Sequence, residues 1–240
     1  MHNAAFKALG LEWTYELLDV SPAELPAAVE RLRVPDVRGA NVTIPHKQAV
    51  IARLDAVDAD ALRAHAVNTI ARDGERLVGS NTDVAGVRAA ISEVRLEPKG
   101  ANVVILGGGG SARAAAVALA GAHLTFISRH PQDDDLPGAV MGWSDPALPG
   151  LTRSADLLLN ATPLGRNEEM PVRPAALPQH GAVIDLVYVT GGTPLVRKAR
   201  SLGLRTADGW GVLLAQGAAA FEVWTGKTAP LAAMRHTLAP

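Results

Sequence analysis

The most constraining feature of the sequence is an apolar strand that runs directly into four consecutive glycines. Asn102 to Leu106 predict a strand buried on both faces, because four apolar residues follow one another without a polar break. Gly107 to Gly110 come next, and Ser111 to Ala120 then predict an Ala-rich helix. This succession is typical of an α/β unit in a parallel sheet that helices cover on both faces.

The glycine run predicts a phosphate-binding loop. Glycine lets the backbone approach a pyrophosphate closely, and the start of the next helix supplies unpaired N–H groups. A tight turn that uses glycine only for its geometry is the alternative. A further predicted strand, Leu124 to Ser128, completes the order of a Rossmann dinucleotide-binding domain. The candidate cofactor residues of the loop are Gly107, Gly108, Gly109, Gly110 and Ser111.

The end of that further strand bears on the choice of cofactor. NAD sites usually place an acid there for the ribose 2′-hydroxyl, whereas this chain has Ser128 and Arg129. An arginine pairs well with a 2′-phosphate, which favours NADP, although a solvent-exposed surface arginine is the alternative. The acidic run Asp133 to Asp135 would repel a phosphate if it pointed inward, so we expect it to face water.

Composition excludes several classes of protein. Hydrophobic residues make up 48% of the 240 residues and aromatic residues only 4%, so the core must consist of Ala, Val, Leu and Ile. The net charge of −1 argues against a nucleic-acid or membrane partner. Cysteine is absent and the histidines are scattered, so we expect no disulfide and no metal site. We expect a cytoplasmic protein, and the residues leave a monomer and a homodimer both open.

Pro98-Lys99-Gly100 interrupt the pattern of helices and strands, and so predict a boundary between two α/β domains. The first covers residues 1–98, with a C-terminal helical segment of about 212–240 packing back on it, and the Rossmann domain covers 99–211. The first domain is predicted to contain strands at Trp13–Val20, Ala40–Ile44, His65–Ala71 and Arg76–Gly79, and helices at Pro22–Leu32, His46–Leu54 and Val84–Val94. Later strands are predicted at Val140–Trp143, Leu157–Asn160 and Val183–Tyr188, and a helix at Val212–Trp224.

Two polar segments stand where predicted strands end, Asn41 to Lys47 and Gly79 to Asp83, with Asn68 between them. A lysine can donate a proton to a developing alkoxide or, when neutral, accept a hydroxyl proton, and an aspartate can hold that lysine. Each residue also has a structural alternative. Lys47 fits a helix-surface charge, Asp83 a helix N-cap, and Asn68 a strand-end residue.

Taken together, the motifs resemble those of the shikimate dehydrogenase family, in the same order and over almost the whole chain. The motifs that carry the resemblance are Asn-Val-Thr-Ile-Pro-His-Lys (41–47), Ala-Val-Asn-Thr (66–69), Gly-Ser-Asn-Thr-Asp (79–83), the glycine loop (107–113), Asn-Ala-Thr-Pro-Leu-Gly (160–165), Asp-Leu-Val-Tyr (185–188) and Asp-Gly-Trp-Gly-Val-Leu-Leu-Ala-Gln-Gly-Ala (208–218).

This resemblance implies an NADP-dependent, reversible reduction of 3-dehydroshikimate to shikimate, a step of aromatic amino acid biosynthesis. It implies that NADP binds in the C-terminal domain, that a small-molecule substrate binds in the cleft, and that Lys47 and Asp83 form the catalytic pair. The implied substrate-binding residues are Thr43, Asn68, Tyr188 and Gln216. The implied cofactor-binding residues are the loop Gly107–Ser111, Ser128, Arg129, Leu186 and Gly209.

The sequence departs from the family pattern in two places. Members carry a strand and a Ser-x-Ser-Pro carboxylate-binding segment ahead of the His2-Asn3 pair, so we expect this chain to lack both and to bind substrate poorly. A late start codon, a trimmed chain and a shortened protein are the alternatives. A second cofactor arginine is also missing, with Asp133 near its place. The rival functions are a quinate/shikimate dehydrogenase of broader specificity and a catalytically silent binding protein of the same fold.

Overall fold

The computed structural model describes residues 1–132 and 135–238, which contain strands and helices in alternation along much of the chain. The strands are β1 (Gly39–Asn41), β2 (Ala56–Val57), β3 (Thr69–Asp73), β4 (Arg76–Ser80), β5 (Asn102–Leu106), β6 (His123–Ser128), β7 (Ala139–Gly142), β8 (Leu157–Asn160), β9 (Ala182–Asp185) and β10 (Arg205–Ala207). The helices are α1 (His2–Ala8), α2 (Leu25–Glu30), α3 (Ala59–Ala64), α4 (Asp83–Glu93), α5 (Gly110–Ala118), α6 (Leu148–Ser154), α7 (Pro194–Ser201), α8 (Gly209–Thr225) and α9 (Leu231–His236). Short 3₁₀ helices lie at Arg31–Arg33, Ile51–Arg53 and Pro174–Ala176.

The chain divides into two compact units, and each change of unit falls inside a helix. The first unit comprises Met1–Ala85 and Leu214–Pro240, and the second comprises Gly86–Leu213. The changes therefore occur within α4 and α8. The sequence alone groups residues 86–98 with the first domain. In the structure, Val87 and Ile91 of α4 and the next residue after the helix, Val94, contribute to the apolar core of the second unit.

In the first unit, the sheet has the order β1-β3-β4-β2 among the described residues. β3 pairs with β1 and β4 antiparallel, whereas β2 pairs with β4 parallel. The predicted hairpin is confirmed, with Gly74 in the left-handed region at φ +61° between β3 and β4. One apolar cluster covers this sheet and includes Val29, Val50, Ile70 and Leu77.

Several predicted elements of the first unit are wrong or shorter than expected. Residues 11–20 form neither helix nor strand, and Leu17 and Leu18 are 90% and 62% exposed. Trp13–Val20 therefore pairs with no strand in the described chain, and a β-strand requires a neighbouring strand to hydrogen-bond its backbone N–H and C=O groups.

Competing or missing hydrogen bonds explain the shortened helices. The carbonyl of Lys47 accepts from the backbone N–H of Val67 at 2.8 Å, so it is drawn out of the helical pattern predicted for His46–Leu54. A 3₁₀ turn at Ile51–Arg53 is the helical part that forms there. Helix α2 begins later than predicted, at Leu25, because Pro26 has no N–H to donate to the carbonyl four residues earlier, and residues 22–24 form a turn instead.

The second unit contains a parallel sheet of the order β10-β9-β8-β5-β6-β7. Counted from β5 as the first strand, this is the 6-5-4-1-2-3 arrangement of a dinucleotide-binding Rossmann fold. Val103 and Ile105 pack into one apolar cluster, and Val104 and Leu106 pack into another. The apolar run of β5 thus reflects burial on both faces, as predicted.

The connection order reverses beside β5, which lies between β6 and β8. Ligands of such sheets bind in the crevice at the carboxyl ends of the strands on either side of this reversal. The residues directly after β5, β6, β8 and β9 are therefore the candidates for cofactor binding in this unit.

None of the helices in the described part of the chain combines the length and apolar character that a membrane span requires. Residues 1–132 and 135–238 also contain no group of three or more His, Asp or Glu side chains arranged to hold a metal ion. Asp133 and Asp134, which were expected to face water, lie outside the described residues, whereas Asp135 is exposed.

Candidate active site

Two polar side chains of the first unit donate to one carboxylate, that of Asp83. Lys47 Nζ donates to Asp83 Oδ2 at 2.5 Å, and Asn68 Nδ2 donates to Asp83 Oδ1 at 2.8 Å. The side chains of Lys47 and Asp83 are 15% and 19% exposed, so solvent screens this ion pair less than it screens a surface pair. Both carboxylate oxygens therefore have a fixed donor, while part of the pair stays accessible.

Local folding brings the three residues together from separate elements. Lys47 lies in the turns after β1, Asn68 immediately precedes β3, and Asp83 is the first residue of α4. The side chain of Asn81 accepts from the N–H of Asp83 and donates to the carbonyl of Ala66 at 2.8 Å. The helix start is thus tied to the segment that carries Asn68, and the Asp83 carboxylate engages Lys47.

The other predicted substrate residues have different surroundings. Thr43 is exposed four residues before Lys47, and among the described residues no hydrogen bond joins its hydroxyl to the Lys47–Asp83–Asn68 group. Gln216 is partly buried in the α8 segment of the first unit. Tyr188 belongs to the second unit, is 43% exposed, and has its ring 5.2 Å from that of Trp210.

The glycine loop has the backbone geometry that a pyrophosphate site needs. Gly107 has φ +112°, and a Cβ there would lie 3.2 Å from the carbonyl oxygen of Ala161. Gly109 is the N-cap of α5, and a Cβ on it would meet nothing within 4 Å. Gly108, Gly110 and Ser111 are partly buried beside it. The loop therefore leaves open space before the N–H groups of an α-helix start, which favours an anion.

The residues after β6 also fit a phosphorylated ribose. Ser128 is buried at the end of β6, and its hydroxyl accepts from the N–H of His130 at 3.1 Å. Arg129 follows and is exposed. A guanidinium in this position suits a 2′-phosphate rather than a free 2′-hydroxyl.

A buried polar network shapes the loops after β8 and β9. The Asp185 carboxylate accepts from Asn160 Nδ2 at 2.9 Å, from the Val187 N–H at 3.0 Å and from the Thr193 hydroxyl at 2.6 Å. Burial raises the pKa of Asp185 to about 6, and these hydrogen bonds partly oppose the rise. Asn160 also donates to the carbonyl of Leu164, so one asparagine organises the turn at 160–165.

Leu186 and Gly209 lie together beside this network. The Leu186 N–H donates to the carbonyl of Asn160 at 3.0 Å. A Cβ on Gly209 would lie 2.6 Å from the Leu186 carbonyl oxygen, so the start of α8 approaches this strand end too closely for a side chain.

Sequence reasoning missed the residues that surround Asn68. The amide oxygen of Asn68 accepts from the Thr82 N–H at 2.7 Å and from the Thr69 hydroxyl at 3.0 Å, while Asn41 donates to Thr69 at 3.1 Å. The signal available in the sequence was the repeated Asn-Thr pair, at 68–69 and again at 81–82.

Comparisons with known proteins point to one family. A family model described as the shikimate dehydrogenase substrate binding domain matches residues 1–70, and one described as the shikimate 5'-dehydrogenase C-terminal domain matches residues 209–239. A shikimate dehydrogenase (NADP(+)) of Moorella thermoacetica is 44% identical over 255 residues, which cover 99% of this chain and 86% of the relative.

The chain belongs to the shikimate dehydrogenase family. Its fold is similar to that of a shikimate 5-dehydrogenase of Thermus thermophilus in complex with NADP(H) and shikimate, with a TM-score of 0.88 and 35% identity over 99% of this chain and 91% of the other. It is also similar to a ligand-free 5-ketofructose reductase of a Gluconobacter strain, with a TM-score of 0.84 and 34% identity over 98% of this chain and 90% of the other. The shikimate dehydrogenase fold therefore occurs among these neighbours with more than one named activity.

Proposed function

We propose that this chain is an NADP-dependent oxidoreductase that reversibly reduces 3-dehydroshikimate to shikimate. The observation that carries the proposal is the Lys47–Asp83 ion pair. Lys47 Nζ lies 2.5 Å from Asp83 Oδ2, and Asn68 Nδ2 donates to Asp83 Oδ1 at 2.8 Å. Membership of the shikimate dehydrogenase family and the likeness to a structure with NADP(H) and shikimate support the choice of substrate and cofactor.

In this proposal Lys47 donates the proton in the reduction and accepts it in the oxidation. When the ring ketone is reduced, its oxygen develops negative charge, and the ammonium of Lys47 donates a proton to it to form the alcohol. In the oxidation of shikimate, neutral Lys47 accepts the same hydroxyl proton. The nicotinamide coenzyme, when bound, supplies or accepts the hydride.

Asp83 and Asn68 would orient both Lys47 and the substrate. Asp83 holds the amine of Lys47 in one direction through Oδ2. Asn68 occupies the other oxygen of Asp83, so the carboxylate cannot rotate without breaking a bond. We assign substrate hydrogen bonds to Asn68 and Asp83, and further ones to Thr43, Tyr188 and Gln216, which supply the amide and hydroxyl groups that a polyhydroxylated ring needs.

The residues of the second unit fit NADP. The loop Gly107–Ser111, which leads into the N-terminus of α5, would hold the pyrophosphate. Ser128 with Arg129 would hold the 2′-phosphate. Leu186 and Gly209 would line the nicotinamide side, where the close approach of α8 to the Leu186 carbonyl shapes the surface. These assignments extend the family's named cofactor to particular residues of this chain.

Reduction of NADP⁺ in the presence of shikimate tests the proposal, followed by the absorbance of the reduced nicotinamide. Turnover should be abolished by Lys47→Ala and should persist in Lys7→Ala, which removes an exposed lysine of the same unit. Turnover that survives Lys47→Ala would refute the role of the lysine. Wild-type protein that binds NADP⁺ but oxidises no shikimate would refute the function.

The same assay separates the rival functions. Quinate turnover with NAD⁺ would indicate a dehydrogenase of broader specificity, and reduction of 5-ketofructose would follow the Gluconobacter neighbour. Nucleotide binding without turnover of any of these compounds would indicate a catalytically silent member of the family. A cytoplasmic location belongs to the same proposal and is tested by cell fractionation, while sedimentation distinguishes a monomer from a homodimer.

A further inference from the structure

A chain of hydrogen bonds leads from Tyr15 to the proposed active-site carboxylate. Tyr15 Oη donates to Asn41 Oδ1 at 3.1 Å, and Asn41 Nδ2 donates to Thr69 Oγ1 at 3.1 Å. Thr69 Oγ1 donates to Asn68 Oδ1 at 3.0 Å, and Asn68 Nδ2 donates to Asp83 Oδ1 at 2.8 Å. This series of hydrogen bonds thus runs in one direction and ends on Asp83 Oδ1, whereas Lys47 contacts Asp83 Oδ2.

The orientation of each group in this chain follows from its neighbours. The Thr82 N–H can only donate, so the Asn68 atom 2.7 Å from it must be the amide oxygen. The amide nitrogen of Asn68 then faces Asp83. At the far end, burial raises the pKa of Tyr15, which keeps its hydroxyl protonated and able to donate to Asn41.

The two threonine hydroxyls beside Asn68 are 3.0 Å apart and share the remaining acceptor position on its oxygen. In one arrangement Thr69 donates to Asn68 and receives from Thr82, and in the other Thr69 donates to Thr82, which donates to Asn68. Both arrangements place a hydroxyl hydrogen on Asn68 Oδ1, and in both Thr69 accepts from Asn41. Thr69 is therefore the junction between the Tyr15–Asn41 segment and Asn68.

These groups are almost completely buried. Thr69 is fully buried, and Asn68 and Thr82 are only 3% and 5% exposed. Burying hydroxyl and amide groups is costly unless every one of them is paired, and an apolar side chain would fill the same space without that requirement. The Asn41 amide also contacts the Asn68 carbonyl at 3.3 Å, so both the backbone and the side chain of Asn68 are held from β1.

We propose that Thr69 and Asn41 are positioning residues that act through Asn68, holding its amide against Asp83 and thereby setting the direction of Lys47. Neither residue is assigned contact with substrate or cofactor. This inference rests on the proposed function, because its kinetic consequence concerns the reaction assigned to Lys47. Its structural consequence concerns the Asn68 amide and is independent of turnover.

A double-mutant cycle between Thr69→Val and Asn68→Ala tests the proposal. Thr69→Val removes the hydroxyl at nearly constant volume and should lower kcat/KM for shikimate by about 5- to 10-fold, the equivalent of one buried hydrogen bond. Its effect should fall on kcat, and the KM for NADP⁺ should not change. In the Asn68→Ala background the same substitution should change kcat/KM by less than about twofold, because the group through which it acts is gone.

Two variants separate positioning from general damage. Thr69→Ser restores a hydroxyl and should recover most of the lost activity. Ser80→Ala removes a hydroxyl that contacts the Thr69 carbonyl at 3.4 Å from the paired strand rather than the side chain of Asn68, so it should leave kcat/KM unchanged. Equal losses in Thr69→Val and Ser80→Ala, or an undiminished effect of Thr69→Val without Asn68, would overturn the proposal.

Nuclear magnetic resonance supplies a measurement that does not depend on catalysis. The side-chain amide signals of Asn68, identified by their loss in Asn68→Ala, should show slow solvent exchange in the wild type. Exchange should be about threefold faster or more in Thr69→Val and should return toward the wild-type rate in Thr69→Ser. If wild-type protein oxidised no shikimate but showed this pattern, the proposed function would fail while the positioning inference would stand. Unchanged exchange in Thr69→Val would sink the inference even if shikimate were turned over.

Discussion

Replacing Asp185 by asparagine should remove a pH-dependent loss of stability from the second unit. The carboxyl of Asp185 is fully buried at the end of β9, beside Asn160 of β8, and burial raises its pKa from 3.8 to about 6. In the unfolded chain the same carboxyl ionises near its ordinary pKa. Between these two values the folded protein therefore binds a proton that the unfolded protein has released, so raising the pH favours unfolding.

The size of this effect follows from the separation of the two pKa values. They differ by about two pH units, and each unit corresponds to ~1.4 kcal/mol, so the free energy of unfolding should fall by about 3 kcal/mol through this group. The fall should begin near pH 4 and be complete near pH 7. The asparagine of the variant carries no such proton, and its amide can accept from Val187 and donate to Thr193 in place of the protonated carboxyl.

The assay is the difference in unfolding free energy between wild type and Asp185→Asn at several pH values, measured by denaturant unfolding followed by tryptophan fluorescence. Taking the difference cancels the titration of groups that both proteins share. The difference should shift in favour of the variant by about 3 kcal/mol as the pH rises from about 4 to about 7.

Two further variants sharpen the test. Thr193→Ser keeps the hydroxyl that donates to Asp185 and should keep the wild-type profile. Thr193→Val removes a hydrogen bond that stabilises the ionised carboxylate, so the fall in stability should extend to higher pH. A difference between wild type and Asp185→Asn that is independent of pH would refute the reasoning, and so would one that favours the wild type as the pH rises.

Three other substitutions have expected outcomes. Arg129→Ala should raise the KM for NADP⁺ by about 10- to 100-fold through loss of a charge-assisted hydrogen bond and leave the KM for NAD⁺ unchanged, and equal changes for both cofactors in steady-state kinetics would contradict the 2′-phosphate assignment. Gly209→Ala should lower stability by about 1–3 kcal/mol, because its Cβ would lie 2.6 Å from the Leu186 carbonyl oxygen, whereas Gly150→Ala, with nothing within 4 Å, should not; thermal unfolding compares the two. Phe221→Ala should cost about 3–5 kcal/mol in denaturant unfolding, since this ring is fully buried, and Phe221→Leu should cost distinctly less; equal losses would show that cavity size does not control the effect.

Elements whose signals are local were predicted closely from the sequence. Strand β5 and strand β8 have the bounds that were expected, and the hairpin at Gly74 forms where its turn residues stand. Buried parallel strands are read from unbroken apolar runs, and tight turns are read from glycine. Both patterns arise from interactions among residues close in the chain or from burial on every side, so they need no knowledge of a particular partner.

Elements that depend on a distant partner were predicted poorly. Trp13–Val20 has the composition of a strand but forms none in the described chain. The predicted helix at His46–Leu54 does not form in full, because the carbonyl of Lys47 accepts from the N–H of Val67 instead of from within a helix. Local propensity is a weak preference, and one well-placed tertiary hydrogen bond is enough to redirect it.

By itself, the sequence determined the α/β class and the Rossmann order after residue 100, because residue type and short spacing carry that information. The candidate site residues were named from the resemblance of their motifs to those of the shikimate dehydrogenase family. Tertiary structure alone decided that Lys47 and Asn68 both donate to the Asp83 carboxylate, and that Thr69 and Asn41 hold the side-chain amide of Asn68. It also decided that burial raises the pKa of Asp185. Hydrogen-bond direction and desolvation depend on which atoms fill the space around a group, and those atoms come from segments that lie far apart in the chain.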